Sequence, residues 1–330
     1  MKINQIKEFF QSLNNVSVLV IGDVMIDAYL WGKVDRISPE APVPIVHIHR
    51  KESRLGGAAN VALNILSMGA KAIMCSVIGD DFHGESFQTL CKDLGFSTSG
   101  IVASSERTTT VKTRVISGGH HIVRIDEEQT NPIGKADEEL LFDRILHILK
   151  SEKIDAVVFE DYNKGVLTEG LIEKITQSAL ELGIPIAVDP KLNNFFSYKN
   201  CTLFKPNLKE LREGLSRNIF PSDENQIKSA LQDLREQLNA NWVLVTRSEF
   251  GVMGFDGKYF TNHTAHKREI IDVSGAGDTV IAVATLALAA KWELPDVAYI
   301  SNLAGGLVCE KVGVVPIDPN DLQNELIKLM

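Results

Sequence analysis

AVVFEDYNKGVLTEGLIEKITQSALELGIPIAVDP, residues 156–190, decides the architecture. An unbroken apolar run, 156–159, stops at Glu160-Asp161. A polar loop follows, and apolar residues then recur at helical spacing through 168–182. A second apolar run, 184–188, stops at Asp189-Pro190. Neither run alternates with polar residues, so both faces of each strand are buried. Strand, helix and strand of this kind form the unit of a parallel sheet covered by helices.

The same pattern extends in both directions. Apolar runs recur at 16–21, 72–78, 202–204 and 242–245, and helical spacing fills 58–68, 85–94 and 136–150. The expected fold is α/β, with a doubly wound, mainly parallel sheet. The runs end on Gly22-Asp23, Gly79-Asp80, Lys205-Pro206-Asn207 and Thr246-Arg247-Ser248. Strand ends often simply turn into solvent. Six polar ends together favour a ligand crevice at the carboxyl edge of the sheet.

Two segments, about 29–50 and 107–126, break this rhythm. The second reads as a hairpin about Gly118-Gly119. On its first strand Lys112 and Arg114 share one face, and Val111, Thr113 and Val115 the other. We expect the two segments to pair as a small β-sheet lid over the crevice, within a single domain spanning 1–330.

Composition narrows the function. The 330 residues carry 34 Lys+Arg against 43 Asp+Glu, with no basic stripe, which argues against nucleic-acid binding. No apolar stretch is long enough to span a bilayer and no signal segment opens the chain, so a cytoplasmic protein without a membrane partner is expected. The four cysteines stand apart in sequence, as buried thiols do, and no zinc-binding spacing is present.

The motif with the most chemistry is Asp272-Val273-Ser274-Gly275-Ala276-Gly277-Asp278-Thr279, followed by an apolar helix. Backbone N–H groups at Ser274, Gly275, Ala276 and Gly277 suit an anion hole at a helix start. An acid beside such a hole makes sense if Asp278 is a general base acting on a hydroxyl that attacks a phosphoryl group. The plainer reading is an acid at a helix N-terminus. Gly56-Gly57-Ala58-Ala59-Asn60 opens another helix, with Asn60 suited to sugar hydroxyls or, more plainly, with small residues suited to tight packing. Asn207 and Glu210 share a helical face and fit either Mg²⁺ held through water or a capping box. Asp161-Tyr162-Asn163-Lys164-Gly165 ends a strand; Lys164 could neutralise phosphate, or the segment is a surface turn.

The early Gly56-to-Asn60 motif and the late Gly275-Ala276-Gly277-Asp278 motif together resemble the two signatures of the ribokinase / phosphofructokinase-B family of carbohydrate kinases. The similarity runs along nearly the whole chain. Within the family the bacterial heptose 7-phosphate kinases are the nearest in appearance. That likeness rests on 21–27, on Arg36-Ile37-Ser38-Pro39-Glu40-Ala41-Pro42-Val43-Pro44, on Asp161 to Gly165 and on 245–249. It implies ATP and Mg²⁺, room for a monovalent cation, a sugar-phosphate substrate phosphorylated at its anomeric hydroxyl, and a homodimer built through the lid. It makes Asp278 the base. It places Asn207, Glu210, Thr246, Ser248, Gly251 and Asn302 on the nucleotide side, with Asn207 and Glu210 at the metal. Asp27, Gly56, Gly57, Asn60, Asp161 and Lys164 fall on the sugar side. From charge alone, Lys112 and Arg114 are candidates for the sugar's own phosphate.

Two departures from the family pattern stand out. Ser274 replaces the usual Thr, and Glu160 stands where a small residue is expected, which would alter charge near Lys164. Some relatives carry a fused nucleotidyltransferase; no H-x-G-H signature is present here, so a separate nucleotidyltransferase is expected to act later. A kinase of another small sugar or nucleoside, a non-catalytic nucleotide-binding protein, and a nicotinamide oxidoreductase are the alternatives. The last lacks its G-x-G-x-x-G after the first strand.

Overall fold

The computed structural model describes residues 2–329. Its main sheet has nine strands. Six of them carry the apolar runs: β1 (Ser17–Gly22), β4 (Lys71–Gly79), β8 (Ala156–Glu160), β9 (Ile186–Asp189), β10 (Leu203–Phe204) and β11 (Trp242–Thr246). The others are β5 (Ile101–Ser104), β12 (Val252–Phe255) and β13 (Phe260–His263). The order is β13-β12-β11-β10-β9-β8-β1-β4-β5. All neighbours pair in parallel except β12 with β11 and β13 with β12.

Two cores flank this sheet, and β1 shows why. Val18 and Val20 face one core, Leu19 and Ile21 the other. The first core takes α1 (Ile3–Ser12), α2 (Ala58–Ser67), α3 (Phe82–Asp93), α8 (Ala276–Ala289), α9 (Leu294–Val308) and α10 (Pro319–Lys328). The second takes α4 (Lys135–Ser151), α5 (Glu169–Glu181), α6 (Leu208–Leu215) and α7 (Glu224–Leu238). Helices on both faces hide the strands, as the unbroken apolar runs require. All four cysteines are buried free thiols. No described helix is long and apolar enough to cross a membrane.

The lid is a second sheet, ordered β3-β2-β6-β7. Its strands are β2 (Val24–Ile37), β3 (Pro44–Gly57), β6 (Val111–Ser117) and β7 (His120–Glu127). The first lid segment is therefore longer than 29–50. β2 starts two residues after β1, and β3 runs until α2 begins. The lower part of β2 is buried on both faces, so it lacks the alternation that would reveal a separate strand. β2 pairs with β6 in parallel, and β6 with β7 antiparallel. The lid is thus rooted in the main sheet at one end and in α2 at the other, directly above the strand ends.

Candidate active site

The site grows from the start of α8. Gly275 precedes the helix with φ 79°, and a Cβ there would lie 2.9 Å from the Asn60 amide nitrogen. Only glycine fits this turn without displacing Asn60. Asp272 accepts hydrogen bonds from the Ser274 N–H at 2.9 Å and the Gly313 N–H at 3.0 Å, which fixes the turn from below. The Ala276 N–H donates to the Val273 carbonyl at 3.3 Å, which leaves the N–H groups of Gly275 and Gly277; with the helix dipole they make this end attractive to an anion.

Asp278 lies in the first turn of α8 and is buried. Asn60 Nδ2 donates to one carboxylate oxygen at 2.6 Å, and the Tyr162 hydroxyl donates to the other at 2.7 Å. Burial pushes the carboxyl up to about 6, against those two hydrogen bonds; the Asp189 charge adds to the rise and Lys191 opposes it. Asn60 is held in turn by α2. Asn64 Nδ2 donates to the Asn60 carbonyl at 2.9 Å, while Asn64 Oδ1 accepts from the Thr279 hydroxyl and the Ile317 N–H, both at 3.0 Å. The polar residues of α2 therefore lock α8 in place, which is the packing reading of the early motif.

Beside Asp278 the ends of β8, β9 and β10 gather charge. Lys205 Nζ meets Asp189 at 2.8 Å, and Lys191 pairs with Glu210. The Lys191 ammonium also sits 5.3 Å from the Tyr162 ring centroid. Asn207 and Glu210 form a capping box at the start of α6, Oδ1 of Asn207 accepting from the Glu210 N–H at 2.9 Å and Oε2 of Glu210 from the Asn207 N–H at 2.8 Å. Glu160 is buried, and its Oε2 has no hydrogen-bond partner among the described residues. Burial, then the charges of Asp189 and Asp278, raise its carboxyl well above the usual range. The expectation that Glu160 would alter charge near Lys164 is corrected. β8 turns it toward Asp189 and Asp278, while Lys164 Nζ meets Glu128 at 2.8 Å.

Carboxylates outnumber ammonium groups here, and a triphosphate would add more negative charge. The donor set, with an orphaned carboxylate oxygen in it, fits a hydrated divalent cation. Among the described residues no three His, Cys, Asp or Glu side chains converge to cage an ion directly.

On one side of Asp278 a cavity of about 520 Å³ opens between α8, α9 and the β11–β12 turn. Thr246, Ser248, Gly251 and Asn302 line it, as do Gly277 and the apolar Val280 and Cys309. Its mostly apolar walls with a few polar groups suit a nucleotide base and ribose.

On the other side lies the lid. Asp27 is buried on β2 and ion-paired with Arg114. A Cβ on Gly56 would come within 2.2 Å of its carboxylate, so the absence of a side chain lets Asp27 reach the floor of the cleft. Two sugar-side expectations are corrected here. Arg114 is committed to Asp27, which stands diagonally across on the neighbouring strand, two residues before Tyr29, the register partner of Arg114. Asp161 is buried and accepts from the Asn163 N–H, Asn194 and the Tyr198 hydroxyl at 2.8, 3.1 and 2.7 Å. It shapes its loop and does not face the cleft. Lys112 and Lys164 both reach Glu128, at 2.9 and 2.8 Å.

Sequence reasoning passed over Lys191 and Lys205, and gave Tyr162 no role. The available signal was position: Lys191 follows Asp189-Pro190, Lys205 follows β10, and Tyr162 follows β8, all at the edge where the ligand crevice was expected.

The family model for pfkB family carbohydrate kinases matches residues 15–321. A bifunctional protein HldE from Citrifermentans bemidjiense is 37% identical over 327 residues, covering 99% of this chain and 66% of that protein. The HldE of Methylobacillus flagellatus is 39% identical over 311 residues, covering 94% and 63%. The chain thus spans somewhat less than two thirds of the length of these curated relatives. Among solved structures, Escherichia coli phosphofructokinase-2 in complex with potassium superposes with a TM-score of 0.78 at 20% identity, covering 95% of this chain and 98% of that one. The tetrameric inhibited form of the same enzyme gives 0.76 at 19% identity, with the same coverage.

Proposed function

Because the chain belongs to the pfkB family of carbohydrate kinases and is a sugar kinase, we propose that it transfers the γ-phosphoryl group of ATP to the anomeric hydroxyl of a heptose 7-phosphate. The observation that carries this reading is the position of Asp278, between the nucleotide-sized cavity and the lid face, in the first turn of a helix that opens with the uncommitted N–H groups of Gly275 and Gly277. The heptose phosphate is supported by the identity to the HldE proteins and by the segment 36–44 on the lid.

In this mechanism the nucleotide base lies in the cavity past Thr246, Ser248 and Asn302. Lys191 offsets charge on the phosphates. The N–H groups of Gly275 and Gly277 receive the transferring phosphoryl oxygens. Asp27, Gly57 and Asn60 orient the sugar. Asp278 accepts the hydroxyl proton as that oxygen bonds to the γ-phosphorus and the bond to the bridging oxygen of ADP breaks. Bound Mg²⁺, held through water near Asn207 and Glu210, supplies charge neutralisation on the phosphates. The proposal includes a cytoplasmic homodimer joined through the lid sheets. It also includes a nucleotidyltransferase activity that consumes the sugar bisphosphate.

A panel of acceptors tests this reading. ADP release is measured with heptose 7-phosphate, the unphosphorylated heptose, fructose 6-phosphate and a nucleoside. The expected result is the highest kcat/KM for heptose 7-phosphate. A higher value for a hexose phosphate or nucleoside overturns the substrate and leaves the kinase.

A further inference from the structure

An ion cluster crosses the mouth of the cleft between lid and body. Glu128, where the chain leaves β7, places one carboxylate oxygen 2.9 Å from Lys112 Nζ and the other 2.8 Å from Lys164 Nζ. Lys112 belongs to lid strand β6, and Lys164 to the loop after β8. All three side chains are largely buried, at 13%, 13% and 22% exposure. Lys112 also touches Asp126 at 3.1 Å, but Asp126 is already gripped by both ends of the Arg124 guanidinium, at 2.8 and 3.0 Å. Glu128 is therefore the one carboxylate shared by the two ammonium groups. Both ammonium groups belong to the sugar side. Lys112 is in register with Asp27, and Lys164 lies two residues from Tyr162, which bonds Asp278.

Two ammonium groups this close repel each other unless an anion lies between them. A carboxylate does this with one negative charge and two oxygens. A phosphate monoester does it with nearly two charges and three oxygens. We propose that Glu128 is an internal stand-in for the sugar's phosphate: it bridges Lys112 and Lys164 until a phosphate monoester displaces it, so that an acceptor without a phosphate leaves the lysines engaged and is discriminated against. This rests on the reading that the acceptor carries a phosphate. It replaces the Lys112–Arg114 pair expected from charge with Lys112 and Lys164. It also ties specificity to the lid, because the Glu128–Lys164 contact joins the end of β7 to the body.

The test uses Glu128→Gln in the full chain, with ADP saturating the nucleotide cavity and inorganic phosphate as the probe in calorimetry. Removing the internal competitor should tighten phosphate binding by about three- to ten-fold, the scale of a partly screened ion pair. The gain should vanish in the Glu128→Gln, Lys164→Met double variant, which places it at this cluster. In turnover, KM for the sugar phosphate should fall by a similar factor, while KM for ATP stays within about two-fold. Unchanged or weaker phosphate binding in Glu128→Gln overturns the proposal, since Glu128 would then be ordering the lysines for substrate. A gain that survives in the double variant overturns it as well. The phosphate arm needs no sugar, so tighter phosphate binding with no turnover of heptose 7-phosphate sinks the substrate reading and leaves this one standing.

Discussion

As the proposed general base, Asp278 has two conflicting requirements: it must be buried beside the transferred group, and it must be ionised to take a proton. Asn60 and Tyr162 reconcile them by donating to its two oxygens, which holds a carboxyl raised by burial at about 6. That is close to working pH, where a general base is most effective. Its folded value lies above the ordinary 3.8, so this group favours the folded state fully below about pH 4 and loses that contribution as pH rises through 6. Catalysis has the opposite slope. The kcat/KM for the sugar phosphate should fall as pH drops through about 6, where the base is protonated. Asp278→Asn should lower kcat by roughly 10²–10⁴-fold, the usual worth of a general base. At pH 8 it should melt no lower than the parent, since a costly buried charge is gone. Near-normal kcat in a folded Asp278→Asn protein would reject the assignment.

At the scale of elements, the loop 161–166 is the part most dependent on distant support. Asp23, just past β1, accepts from the N–H groups of Tyr162, Lys164 and Val166 at 2.8, 3.0 and 3.1 Å. One buried carboxylate thus sets the loop that presents Tyr162 to Asp278 and Lys164 to Glu128. Asp23→Asn would turn amide hydrogens toward backbone N–H groups, costing about 1–3 kcal/mol for each donor left unmet. We expect a lower melting temperature, a lower kcat and a raised KM for the sugar phosphate, with ATP affinity held because the nucleotide cavity lies elsewhere. Loss of ATP affinity to the same degree would mean that the loop supports the whole site. None of this is legible from the sequence, because the contacts of Asp23 are backbone groups 139 to 143 residues away. The six central strands were legible because each is buried on both faces. Strand β5 is short, β12 and β13 form an antiparallel edge, and the lower half of β2 hides in an apolar run. Asp278 and Asn60 stood out because glycines at helix starts carry chemistry in their spacing, whereas Thr246, Ser248, Gly251 and Asn302, which the structure brings around one cavity, came from the resemblance alone. The pairing of Arg114 with Asp27 was not legible, because a charged face reads the same whether or not a carboxylate stands on the neighbouring strand.

Over the whole molecule, the lid stands on two roots and carries the groups proposed to face the sugar, Asp27 and Lys112, on strands and not on loops. Asp27 and Lys112 are neighbours on β2 and β6, so a substrate that engages both holds the lid sheet as a unit. The ion pair of Glu128 with Lys164 tethers the end of β7 to the body. The outermost strand β7 is exposed along its length, with Ile122, Val123 and Ile125 open to solvent. It pairs on one side only, with β6. An edge with apolar side chains is a template for a second sheet, and this is the physical case for a dimer formed through the lid. Such a dimer would place each lid against its partner, making closure over the sugar a motion of the pair. Amide exchange across 111–127 should therefore slow when sugar phosphate is added and change less with ATP alone, and light scattering should give twice the chain mass. Exchange that ignores the sugar would remove the lid's role in closure. Slowed exchange in a protein that scatters as a monomer would keep the closure and assign it to one chain, with β7 left as a solvent-facing edge.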